Sequence, residues 1–405
     1  MSGGDHPMTA CAIEEAADHE ALRPAPRAAL TVGAGGGYAA RLTGRGDALF
    51  AERWTLDGPE PYAVSLPLGQ PEEPDTEVAP LADGRVLVHR RVAGVRSFSL
   101  LYPAGPGTGE LPLGRVESAE LRLLPPSPDG TCAYALAPGE GSTAVWLVAG
   151  GAFGPERVAV VPGRCSGGVW LDRTGRMLAL DRERDGVTKA VVVDLERGGE
   201  VTPLLQITED SNDRLLLADA ESGLLMIRSD AAGHDRLGWG VLGSLRPVRF
   251  PECLRLPDAA VTPFAIQPGR VLLPESCAVA LRIDAAAGTR VGVWRPSGRR
   301  LHRLPPPGGW LAGSGLWTRE GALRLPYSTE EVACGMARLE PPGDALPPGP
   351  PGPPASGSAP APAPAPAPAR PEHAGGEPYG EAGRPPVRRP VPLQQAPLTG
   401  RVARG

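Results

Sequence analysis

Apolar residues fall along this chain in short runs, and the runs recur in seven cassettes of one design: apolar run, glycine-containing turn, apolar run. The cassettes read RLTGRGDALFAER, PLADGRVLVHR, PPSPDGTCAYAL, WLDRTGRMLALD, LADAESGLLMIRS, AIQPGRVLLPES and LWTREGALRLPYS. Their turn glycines are Gly46, Gly84, Gly130, Gly175, Gly223, Gly269 and Gly321, a mean step of about 46 residues. Further apolar runs follow, beginning at Tyr62, Ser97, Thr143, Lys189, Arg236, Arg290 and Val332, and most repeats add a last one: GELPL, RVAVV, VTPLL, RPVRF or RLHRL. None is long enough for a helix, so each is predicted to be a strand. The unit reads strand, glycine turn, strand, loop, strand, turn, strand.

A four-stranded sheet cannot bury both of its faces alone, whereas several stacked around an axis can. The pattern therefore predicts an all-β chain, a seven-bladed β-propeller over residues 28–340, with a flexible arm at 1–27 and a Pro/Ala/Gly-rich disordered tail at 341–405. Six or eight blades remain open, because the step from Gly46 to Gly84 is only 38 residues and the last step is 52. The last repeat supplies three strands before the proline tail. Its fourth is expected from the N-terminal Ala28-Ala29-Leu30-Thr31-Val32, closing the ring with both ends of the domain.

Ser127-Pro128-Asp129-Gly130 before TCAYAL, and Ala82-Asp83-Gly84 before RVLVHR, resemble the "SPDG" repeats of TolB-like and WD40-like propellers. The resemblance covers the repeat frame over residues 38–340 and no active-site motif; the Trp-Asp dipeptide of true WD40 repeats is absent. It implies a propeller and often a binding platform.

Charge and composition narrow the partners. The net charge is −5 and no basic stripe occurs, so nucleic acid is not expected. Lys189 is the only lysine, which fits the arginine bias of a GC-rich, bacterial genome. No apolar run is long enough for a membrane helix, and the acidic N-terminus does not read as a secretory signal. Six cysteines without a CxxC pair are expected to be reduced thiols of a cytoplasmic, monomeric protein.

Chemistry is sparse. Gly33-Ala34-Gly35-Gly36-Gly37-Tyr38 mimics a dinucleotide fingerprint, but no helix or second βα unit follows, so it reads as a Gly-rich approach to the first blade. No G-x-S-x-G elbow occurs, and a propeller joined to a hydrolase domain is not expected. Histidines form no metal-binding pair, so neither a metal nor another cofactor is expected. The repeat frame places one set of residues at the loop-rich face, where inner strands begin and second-to-third-strand loops emerge. These are Glu77, Glu120, Asp213 and Asp258, with His89, Arg182, Asp185, His234 and Asp235 from the loops. The leading expectation is a non-enzymatic platform binding an unidentified protein or peptide there, with Arg384, Arg388 and Arg389 as a tail motif. A propeller enzyme of lactonase, lyase or glycosidase type, with a metal at the channel mouth, is the alternative.

Overall fold

The computed structural model of the protein describes residues 30–46, 48–269 and 272–342. They form seven antiparallel meander sheets, five four-stranded and two three-stranded, and every strand pairs with its neighbour in sequence. Blade 1 is Thr31–Val32, Tyr38–Arg45, Ala48–Thr55 and Tyr62–Leu66; blade 2 is Glu77–Pro80, Val86–Val92, Val95–Ala104 and Gly107–Glu117. Blade 3 is Arg122–Leu123, Ala133–Pro138, Ser142–Ala149 and Glu156–Pro162; blade 4 is Arg164–Trp170, Met177–Arg184, Val187–Asp194 and Glu200–Leu205. Blade 5 is Asp213–Ala218, Leu224–Ser229 and Arg236–Val241, and blade 6 is Ala259–Ile266, Val279–Ala285, Gly288–Trp294 and His302–Leu304. Blade 7 is Leu316–Trp317, Leu323–Tyr327 and Gly335–Leu339. The expected arm, and the tail beyond residue 342 with its arginine motif, lie outside the described residues.

The core is seven seams rather than one centre, because alternate side chains of a strand leave its sheet in opposite directions. In blade 2, Leu87, Phe98 and Leu100 pack against Leu121 and Ala135 of blade 3. The intervening Val86, Val88 and Leu101 pack against Ala40, Ala51 and Leu66 of blade 1. Central strands are consequently buried on both faces, as at Leu178–Leu180 and Val279–Leu281. The SPDG turn behaves as its residues dictate: Gly130 has a φ of 69° and donates to the Ser127 carbonyl at 2.8 Å, while Asp129 accepts from the Ser127 hydroxyl at 2.6 Å.

Besides the run after Gly269, which precedes rather than forms the second strand of blade 6 (Val279–Ala285), three expectations are corrected, and the first two share a cause. Gly46 does not open blade 1; it lies between the second and third strands. The first turn is Gly33–Gly37, where Gly36 takes a φ of 72° and donates to the Gly33 carbonyl at 2.9 Å. The run starting at Tyr62 is accordingly the outer strand of blade 1, and the short 38-residue step disappears when counted from Gly36. The N-terminal strand therefore belongs to blade 1, with Thr31 opposite Ala40 and Val32 opposite Ala39, and does not complete blade 7. Third, RPVRF is not a strand. It makes one isolated bridge, Arg249 to Trp239, because prolines at 247 and 251 remove the N–H groups a ladder needs.

Among the described residues, closure is made without a shared strand. Leu30, Trp54 and Leu56 of blade 1 pack with Leu311, Leu316, Cys334 and Met336 of blade 7. The buried Ser314 hydroxyl accepts from the Leu30 N–H at 3.1 Å and donates to the Leu30 carbonyl at 2.5 Å, so one side chain serves both backbone groups, as a bridge partner would. Arg324 donates to the Leu56 carbonyl at 3.2 Å. Ser314→Ala leaves two buried backbone groups unpaired and should lower stability by about 1–3 kcal/mol. A urea titration checks this: the midpoint should fall while the slope stays constant, and an unmoved midpoint would show that closure does not need this hydroxyl.

Candidate functional site

The loop-rich face carries the predicted residues, but the fold engages most of them separately. Glu77 begins the inner strand of blade 2 opposite His89. Its Oε2 lies 3.2 Å from His89 Nδ1 and accepts the Leu123 N–H of the next blade at 2.9 Å. His89 is 3 % exposed and stacks on Phe98 at a centroid distance of 5.2 Å. Its Nε2 is buried with no hydrogen-bond partner among the described residues. The pair is sealed inside a seam.

Asp213 is 0 % exposed. Its carboxylate accepts from Lys189 Nζ at 2.9 Å, the Ile207 N–H at 2.9 Å, and the hydroxyls of Ser211 at 2.9 Å and Ser229 at 2.6 Å. Lys189 Nζ donates further to the carbonyls of Thr208 at 2.6 Å and Ser211 at 2.5 Å. The single lysine of the chain is therefore a pin from blade 4 into blade 5. The rest are scattered. Glu120 pairs with Arg164 at 2.7 Å across the seam between blades 3 and 4. Asp185 has a φ of 52° and Gly186 one of 79°, the two-residue hairpin between the second and third strands of blade 4. Arg182 is half-buried in that blade, its guanidinium held below its ordinary pKa by desolvation and then by Arg184. His234 and Asp258 are exposed. Among the described residues no three His, Cys, Asp or Glu side chains gather as a metal-binding group.

Sequence reasoning missed Asp181, which is buried on the second strand of blade 4 and accepts the Leu215 N–H of blade 5 at 3.0 Å. Burial pushes its carboxyl up to about 6, against the opposing pull of that N–H and of Arg214. It repeats the role of Glu77: a carboxylate receives the backbone N–H of the next blade's inner strand. All five described cysteines are free, and burial pushes Cys165 and Cys334 up to about 11.

One predicted residue, Asp235, does line a concavity. A cleft of about 200 Å³ opens between blades 5 and 6, lined by Arg228, Arg236 and Arg255 beside the apolar Leu237, Leu254 and Leu256. Arg228 Nη1 donates to Asp235 at 3.2 Å and Nη2 to the Val261 carbonyl at 3.0 Å. Arg236 is held by Glu252 and the Phe250 carbonyl, its side chain 12 % exposed. Arg255 is exposed at the end of the 3-10 turn Glu252–Leu254 and makes no ion pair among the described residues. Asp235 is 47 % exposed, and partial desolvation and Asp230 push its carboxyl up against the pull of Arg228. No sequence signal marked the three arginines; they come from a strand, a strand start and an irregular connection that only folding brings together. A second cleft of about 320 Å³ lies at the opposite end of the same blades, where Arg249 sits over Trp239 and Arg246 pairs with Glu275.

Two substitutions test the buried carboxylates. Lys189→Met leaves the Asp213 charge buried without its cation and should cost about 3–5 kcal/mol in chemical denaturation; a change below 1 kcal/mol would show that the serines and Ile207 N–H suffice. The folded chain holds the Asp181 proton more tightly than the unfolded chain, whose carboxyl titrates near 3.8. Stability associated with this group therefore falls as pH rises from about 4 to about 6, and the penalty is complete above that window. Asp181→Asn abolishes this slope, so its stability relative to wild type should improve by about 2 kcal/mol between pH 4 and pH 8. Parallel pH profiles for the two proteins would refute the assignment.

No protein-family model and no curated protein matches the chain. Solved structures do. It is similar to TolB from Acinetobacter baumannii, 11 % identical over 74 % of this chain and 78 % of that one, with a TM-score of 0.42. It is similar to an oligogalacturonate lyase from Vibrio parahaemolyticus, 9 % identical over 76 % of this chain and 87 % of that one, with a TM-score of 0.49. Prolyl oligopeptidase B from Galerina marginata is 12 % identical over 77 % of this chain and 48 % of its own length, with a TM-score of 0.48. At such identities the likeness is one of fold. The seven meander sheets themselves make this a seven-bladed propeller.

Proposed function

We propose that this propeller is a non-enzymatic, cytoplasmic platform that binds a protein or peptide on its loop-rich face, through the cleft between blades 5 and 6. The observation that carries the reading is the composition of that cleft: three arginines over a leucine floor, with Arg255 exposed and unpaired among the described residues. Its volume, about 200 Å³, lies below the range of about 300–1,000 Å³ typical of sites that enclose a small molecule. A space of that size suits a side chain presented by a larger partner. Arginine is also one of the side chains enriched among the residues that dominate the energetics of protein interfaces. The best-placed carboxylates for acid/base work, Glu77 and Asp213, are committed to seams between blades, which fits a binding role better than a catalytic one. The free cysteines are in keeping with a reducing compartment.

The test uses the full chain as bait in lysate of the source organism, beside Arg255→Glu and Arg299→Glu. The second variant reverses a charge in the turn between third and outer strands of blade 6, at the opposite end. A partner identified by mass spectrometry should rebind in purified form, and its recovery should fall at least tenfold with Arg255→Glu alone. Equal recovery by all three baits would overturn the reading. So would a partner lost only when Arg384, Arg388 and Arg389 are replaced.

A further inference from the structure

The same cleft carries an inference about what it recognises, and this rests on the platform reading. We propose that it binds an acidic peptide segment, an Asp or Glu flanked by apolar residues, and that Asp235 is the built-in competitor the ligand carboxylate displaces. The lining holds three guanidinium groups and one carboxylate; with Glu252 paired to Arg236 and Asp230 near Asp235, Arg255 is the lining cation without an ion pair among the described residues. Two of the three are spoken for to different degrees. Arg236 is fixed by Glu252 and the Phe250 carbonyl and acts as a rigid wall. Arg255 has no ion-pair partner among the described residues and faces solvent. A guanidinium is the side chain best suited to a carboxylate, because its donors form a planar fork.

Arg228 decides the case. A satisfied arginine in this molecule looks like Arg90, whose Nε and Nη2 grip Glu72 at 2.7 and 2.6 Å while Nη1 holds Glu110 at 2.8 Å. Among the described residues Arg228 has one carboxylate contact, from Nη1 to Asp235 at 3.2 Å, and its buried Nε has no acceptor. The Asp235 contact is long and single, and the residue sits at the end of the solvent-exposed loop 230–235. The desolvation that pushes its carboxyl up makes the ionised form less comfortable there, which favours exchange. A ligand carboxylate replacing Asp235 at Arg228 Nη1 gains Arg255 as a second cation. Apolar neighbours of that carboxylate meet Leu254, Leu256 and Pro251. Recognition is thus for a charge and an apolar group together, which an inorganic anion does not offer.

The experiment is fluorescence anisotropy of the full-length protein with a labelled Leu-Asp-Leu-Glu-Leu peptide, beside its Leu-Asn-Leu-Gln-Leu counterpart. The acidic probe should bind saturably and at least tenfold more tightly than the amide probe. Arg228→Gln and Arg255→Glu should each weaken it at least tenfold; the second variant lies on an exposed turn, so loss there is not loss of fold. Asp235→Asn should tighten binding several-fold, and Asp258→Asn, which removes an equal charge nearby without freeing Arg228, should change it less. Equal binding of the two probes, indifference to Arg255→Glu, or equal tightening by both aspartate variants would each overturn the proposal. Displacement of the probe by inorganic phosphate at the probe's own concentration would overturn it too, by making this a simple anion site. If a purified partner still depends on Arg255 while the acidic probe fails, the platform stands and the ligand class falls.

Discussion

A blade of this propeller has two faces and no interior, so each sheet is stable only against its neighbours. That constraint explains why the core divides into seven apolar clusters, each spanning one seam. It also makes the seam between blades 7 and 1 the critical one, since an open ring would leave two sheets with a bare apolar face. Many rings of this kind could be held by a strand borrowed from the other end of the chain. Among the described residues the blade 7 edge is Gly335–Leu339, and after Glu340 come Pro341 and Pro342, which lack the N–H groups a continued ladder would use. The closing work passes to Trp54, Leu56, Ser314 and Arg324.

A second constraint comes from the axis. Inner strands are sheet edges, and an edge with unpaired N–H and C=O groups must be satisfied or hidden. Charged side chains of the adjacent blade do this repeatedly. Glu77 receives Leu123, Asp181 receives Leu215, and Arg228 donates to Val261. The result is that titratable groups near the inner strands are largely structural. Asp213 and Lys189 are the extreme case, a buried ion pair whose every oxygen and proton has a partner, and such pairs hold register more than they add stability.

The strand-and-glycine pattern made the fold legible, because five of the seven turn glycines, Gly84, Gly130, Gly175, Gly223 and Gly321, take positive φ between the first and second strands of their blades. Gly46 misled because RLTGRGDALFAER is itself a good hairpin, only one strand out of frame; the glycine cluster at Gly33–Gly37 carried the true first turn and was read as an approach. That single slip moved Tyr62–Leu66 and Thr31–Val32 to the wrong places. The site was far less legible. Glu77 lies beside His89 and Asp235 lines a cleft, while the other named residues stay apart. Whether such a residue is sealed or open depends on the neighbouring blade, 24 to 46 residues away in the contacts above, and no local pattern encodes that.

Blade 5 links these themes. Two prolines prevent its outer strand, leaving the single Trp239–Arg249 bridge, and the freed connection 242–258 runs back to the loop-rich face. There it forms the turn Glu252–Leu254, buries Leu254 in the seam with blade 6, and places Arg255 at the surface. In a regular blade that length of chain would be a strand and a short link, and the face would be flat. The departure from the repeat thus supplies both the leucine floor and the unpaired cation of the cleft. Blades 5 and 7 are the two three-stranded sheets, and of these blade 5 is the one whose freed connection lines a cleft on the loop-rich face.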